Sequence, residues 1–195
     1  MREKIGEKYI SKEGYKLTII DYINNKNCTI QIKDGAILYN KTYINIRTGS
    51  VRNPYHPSVY GKGYLGVGEY KTTLNGKKTQ AYVHWNNMLR RCYSGNFSNC
   101  YPTYSTCEVC KEWLNFQVFS KWFKNNYDEN KMKGWELDKD ILEEGNKLYS
   151  PSTCCFVPKE LNKLFTENKT RNNEVIKQYD EQLYKEVIWR KKELV

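Results

Sequence analysis

The chain has 195 residues, 39% hydrophobic and 14% aromatic, so burial can offset the entropy lost on folding and global disorder is excluded. Its 32 Lys and Arg outnumber 22 Asp and Glu, and the net charge of +10 attracts polyanions, of which nucleic acid is the commonest inside a cell. No apolar run approaches membrane-spanning length and the N-terminus MREKIGEKYISKEG is charged throughout, so a soluble cytoplasmic protein without a membrane partner is expected. Seven cysteines in a reducing compartment then read as packed thiols or metal ligands.

Residues 1–60 read as a small β module. Tyr15 to Ile23 and Cys28 to Ile32 alternate apolar and polar residues around the turn-prone NNKN, and shorter β-like pieces follow at Ala36–Leu38 and Tyr43–Ile46. A docking surface for a protein or for DNA is the natural use of such a module. A basic, glycine-rich connector (VRNPYHPSVYGKGYLGVG, 51–68) follows. Asn75-Gly76 marks a hairpin, and Ala81, Trp85, Met88, Leu89 and Cys92 fall at helical spacing over roughly 80–93.

The turn-rich stretch 94–108 is expected to be a loop. Val109 to Tyr127 returns to helical periodicity, with Trp113, Phe116, Phe119, Trp122 and Phe123 as a core-facing aromatic stripe. Two short strands are expected at Glu136–Ile141 and Cys154–Val157, around a turn at Gly145-Asn146, with a helix starting beside Pro158. Asn173 to Leu194 reads as a final amphipathic helix ending in Arg190, Lys191 and Lys192. The expected fold class is α+β: a β module at 1–60, a helical region at 61–170 enclosing a β–β–α unit, and a terminal helix at 171–195.

The stretch WELDKDILEEGNKLYSPSTCCFVPKELNKLF (135–165) resembles the ββα-metal core of phage HNH-type endonucleases through Leu137, Asp138, Lys139, Tyr149, Ser150, Pro151, Cys154 and Asn162. YVHWNNMLRRCY (82–93) is similar to the helix preceding that core, VCKEWLNFQVFSKWF (109–123) to the helix next after that one, and VRNPYHPSVYGKGYLGVG to the family's connector. The resemblance covers roughly 50–165. It implies a metal-dependent DNA endonuclease that acts on phosphodiester bonds. Many relatives carry an AP2-like DNA-binding module after the core, whereas this chain passes from Asn172 directly to its last helix.

Such an enzyme activates a water, sets a divalent cation against the scissile phosphate and stabilises the leaving oxygen. The family places a His after the strand aspartate. This chain has Lys139 there, and an exposed lysine is protonated at neutral pH. Three readings stand side by side. Lys139 contacts phosphate while a tyrosine such as Tyr149 replaces the base; or the site is inactive and Lys139 binds the DNA backbone; or the hairpin is unrelated to the family. The metal set is Asp138 or Asp140 with Asn162, oxygen ligands suited to Mg²⁺ or Mn²⁺. Strand alternation sets both aspartates on the face opposite Lys139 unless the strand ends between them.

His84 reads as a packed residue beside the apolar helix face, and His56 as a connector residue able to reach a site from outside. Cys107 and Cys110 have zinc-ligand spacing, with Cys92 and Cys100 available to complete a structural Zn²⁺ site. Phosphate-directed cations for DNA are Arg52, Lys62, Lys77, Lys78, Arg90, Arg91, Lys159 and Lys163, besides Lys139. Two rival readings remain: a catalytically inactive DNA- or protein-binding module, such as a regulator or an inhibitor of host defence, and a small zinc-stapled binding protein.

Overall fold

The computed structural model describes residues 4–33, 35–168 and 173–185. The chain divides into two compact units, Met1–His56 and Pro57–Val195.

In the first unit, β1 (Lys8–Ile10), β2 (Lys16–Asn24), β3 (Asn27–Ile32) and β4 (Ile37–Lys41) form an antiparallel sheet in sequence order. Leu17 and Ile19 of β2 share one face with Ile30 and Ile32 of β3, because alternate side chains of paired strands meet on the same side. Leu38, Ile46 and Val51 close this core. The expected β piece at Tyr43–Ile46 is instead a short helix, α1 (Tyr43–Arg47). Four residues fit a strand period and a helix period equally well, and here the burial of Ile46 against the sheet decides. Gly49, at φ +66, ends the helix where a Cβ would lie 2.5 Å from the carbonyl oxygen of Ile10.

The second unit begins with the connector and a hairpin of β5 (Thr73–Leu74) and β6 (Lys77–Lys78), turned by Asn75 and Gly76 at φ +49 and +75. Helix α2 (Gln80–Tyr93) follows, capped by the Thr79 side chain, which accepts from the Tyr82 N–H. The expected loop at 94–108 holds a helix, α3 (Gly95–Cys100), and a 3₁₀ turn at Pro102–Tyr104. Its polar residues hide the reason: Phe97, Tyr101 and Tyr104 stand one and two turns apart and pack on one another.

The long helix expected from Val109 to Tyr127 is broken into β7 (Glu108–Val109), a 3₁₀ turn at Lys111–Leu114 and α4 (Phe116–Asn126). Asn115 makes the break. Its side chain caps α4 by accepting from the Gln117 N–H, while the backbone on either side of it pairs with Tyr64. Trp85, Met88 and Leu89 of α2 pack against Trp113, Phe116, Phe119 and Phe123, as the aromatic stripe predicts, and the Trp85 indole donates to the Trp113 carbonyl at 2.7 Å.

Next come β8 (Glu136–Asp138), β9 (Leu148–Tyr149), β10 (Cys155–Val157) and α5 (Lys159–Asn168). Strands β8 and β10 pair antiparallel with Leu137 opposite Phe156, and β9 runs parallel to β7. Leu137 and Phe156 join the aromatic core, whereas Cys155 and Val157 turn toward Leu161, Ile176 and Leu183. The terminal helix is also shorter than its periodicity suggests. Helix α6 spans Asn173–Tyr179, and Asp180 then caps a further helical turn by accepting from the Leu183 N–H. Val187, Arg190, Lys191 and Lys192 lie outside the described residues. No described helix is long and apolar enough to cross a membrane.

Candidate functional site

Strand β8 ends at Asp138, and the aspartate itself ends it. One carboxylate oxygen, Oδ1, accepts the backbone N–H groups of Asp140 and Ile141, each at 2.7 Å, and turns the chain. The alternation that would separate Lys139 from the two aspartates therefore stops, and Asp138, Lys139 and Asp140 line the same cavity of about 340 Å³.

Lys139 is buried, at 5% exposure. Its Nζ donates to Asp140 Oδ1 at 2.5 Å and to the Asn146 carbonyl at 2.6 Å. Asn146 closes the loop from the other side. Its Nδ2 donates to the carbonyls of Lys139 and Leu148, at 2.8 and 2.7 Å, and its Oδ1 accepts from the Leu148 N–H. The residues expected only as a turn are a hydrogen-bonded clamp on the site.

Three other elements supply the remaining walls. From β9 comes Tyr149, 2% exposed, with the Lys139 Nζ 5.9 Å from its ring centre. From α5 comes Asn162, whose Nδ2 donates to Glu136 Oε2 at 2.5 Å, a contact that ties α5 to β8. From α2 comes Arg91, hydrogen-bonded to Tyr149 and with its guanidinium 5.9 Å from the Tyr104 ring. Phe97, Tyr101 and Tyr104 form an aromatic side of the cavity, and Lys147 stands at its edge, its Nζ 3.4 Å from the Thr103 carbonyl.

Comparison with protein-family models, with curated proteins and with solved structures returns no match.

The cavity chemistry is therefore read from its own residues. Two carboxylates and an amide oxygen are a hard donor set that fits Mg²⁺ or Mn²⁺, although an ion there competes with Lys139 for Asp140. Burial pushes the Tyr149 phenol well above its ordinary value, an effect that Arg91 opposes, so Tyr149 holds its proton and makes a poor general base. His84 lies beside the site, in a small neighbouring cavity that shares Arg91 and Leu137 with it. Burial first and Arg91 second lower its pKa to about 4, and its ring packs on Phe123, Tyr127 and Phe156. It is a neutral, packed imidazole at pH 7.

Of the cations expected to meet DNA, Arg91 and Lys139 line this cavity. Lys62, Lys78 and Arg90 lie over the rings of Tyr93, Tyr82 and Phe97 respectively, and Lys77, Lys159 and Lys163 are exposed. Arg52 and His56 belong to the first unit, where His56 Nδ1 meets the Tyr15 hydroxyl at 3.1 Å. Cys100 is exposed on α3, while burial raises the thiols of Cys92, Cys107 and Cys110, to about 12 for Cys92 and about 11 for Cys110. Among the described residues, no three His, Cys, Asp or Glu side chains gather in a metal-holding group.

Sequence reasoning missed Lys147, Glu136 and the aromatic side of the cavity. The signal for the aromatics was present: Phe97, Tyr101 and Tyr104 recur at intervals of four and three, a helical period inside a stretch of turn residues.

Proposed function

We propose that the second unit is a divergent HNH-like nucleic-acid-binding module that acts as a metal-dependent endonuclease on phosphodiester bonds. One observation carries the reading. Asp138, Lys139, Asp140, Tyr149 and Asn162, drawn from two strands, a loop and a helix, converge on one cavity with the half-buried cation Arg91.

Arg91 and Lys147 supply positive charge for a phosphate, with Arg91 held in place by Tyr149. Asp138 shapes the loop, and Lys139 with Asn146 keeps it closed. A divalent cation would be held by Asp138, Asp140 and Asn162, and when bound it supplies Lewis-acid polarisation of the phosphate. The net charge of +10 favours the same polyanionic partner.

A specific contact favours the second reading, a module that binds without cutting. Lys139 stands where the family keeps its base and is already engaged by Asp140 and Asn146. Supercoiled plasmid incubated with EDTA, Mg²⁺ or Mn²⁺ separates the two. Nicking that needs the metal and disappears in Asp140→Asn and Asn162→Ala supports the endonuclease. Retardation of intact plasmid under every condition leaves the binding module, and loss of both behaviours removes nucleic acid from the account. Asp138→Ala is the poorer variant, because it also removes the cap on the turn.

A further inference from the structure

The cavity has two unlike sides, and their chemistry specifies a ligand more narrowly than a net charge does. Arg91, Lys139 and Lys147 are the cations of its lining, and Lys139 is held by Asp140. Opposite in character, Phe97 and Tyr101 stack with ring centres 4.7 Å apart and an interplanar angle of 30°, and Tyr104 meets Phe97 edge-on at 5.6 Å. Tyr101 is 54% exposed. Tyr101 stands outside the aromatic core of this unit and lines the cavity.

We propose that the cavity receives one unpaired nucleotide, its base stacked on Tyr101 and its phosphate against Arg91 and Lys147. The proposal rests on the nucleic-acid reading above and narrows it to single-stranded or locally opened substrate. In a duplex the faces of the bases are covered by their neighbours, so only an unpaired base can lie on an aromatic ring. A concave space of about 340 Å³ matches a small-molecule-sized ligand and does not admit a double helix. Stacking is indifferent to base identity, so the site selects strandedness rather than sequence. Arg90, at 5.4 Å from the Phe97 ring, adds a cation on the same aromatic element.

The test is fluorescence anisotropy of the full chain in EDTA, with labelled oligothymidylate, oligouridylate and a DNA duplex of equal length. The expected result is single-strand affinity about tenfold above duplex affinity. Tyr101→Leu, which keeps an apolar side chain and removes the ring, lowers single-strand affinity about tenfold, and Tyr101→Phe restores it. Lys147→Ala weakens binding and reduces the salt slope by about one. The thymidylate and uridylate arms distinguish a DNA source of the nucleotide from an RNA one. Equal or tighter binding to duplex, or a Tyr101→Leu protein that binds single strands like wild type, overturns the inference. If plasmid nicking survives in that variant, the endonuclease reading stands without it; if no oligonucleotide binds, both fall.

Discussion

The Nζ of Lys139 lies 2.5 Å from the carboxylate of its own neighbour, Asp140, with the lysine side chain only 6% exposed. Adjacent residues of a strand point to opposite faces, so this pair exists only because β8 stops at Asp138. The contact therefore reports both the local turn and the closure of the cavity.

Breaking that pair from one side is expected to be costly. Lys139→Met leaves a half-buried Asp140 and an unmet Asn146 carbonyl, and stability should fall by about 2–4 kcal/mol in urea denaturation. Combining it with Asp140→Leu should recover part of the loss. A single-variant cost below about 0.5 kcal/mol means that the pair is no more than a solvated contact.

Asn146 makes three hydrogen bonds from one side chain, to both backbone flanks of the loop. At about 1 kcal/mol net for each, Asn146→Ala should destabilise the protein by about 2–3 kcal/mol. Amide exchange at Leu148 should accelerate at the same time. Unchanged protection there would dissolve the clamp.

His84 predicts an acid-side loss of stability. Its folded pKa, about 4, lies below the ordinary 6.5, so the unfolded chain takes up the proton first. The associated stability is whole above pH 6.5 and is lost as pH falls toward 4, by about 3 kcal/mol. His84→Phe, compatible with the rings of Phe123, Tyr127 and Phe156, should flatten the denaturation profile over that window. A profile with the same slope as wild type assigns the loss to another group.

Gly49 combines a positive φ with a close approach to the Ile10 carbonyl. Gly49→Ala should cost about 1–3 kcal/mol, by strain and by displacement of β1. An unmoved urea midpoint would show that the turn relaxes freely.

Much of the local structure was legible. Helix α2 was readable from Trp85, Met88, Leu89 and Cys92, and the β5–β6 hairpin from Asn75-Gly76, because periodicity and turn chemistry act over a few residues. The breaks were not. The helical pattern breaks at Asn115, where Leu114 and Phe116 on either side of it bond to Tyr64 from a distant segment, and α3 forms around three rings scattered among residues that favour turns.

The linear order of residues by itself determined helix α2, the β5–β6 hairpin, the basic charge, and the order of β8, β10 and α5 carrying Asp138 and Asn162, since these follow from neighbours in the chain. Only the tertiary structure decided what those residues face. The engagement of Arg91 with Tyr149 and the gathering of Tyr101 and Lys139 about one cavity join segments tens of residues apart. Periodicity specifies which side of an element is apolar, but the partner met across a cavity depends on how the elements close on one another.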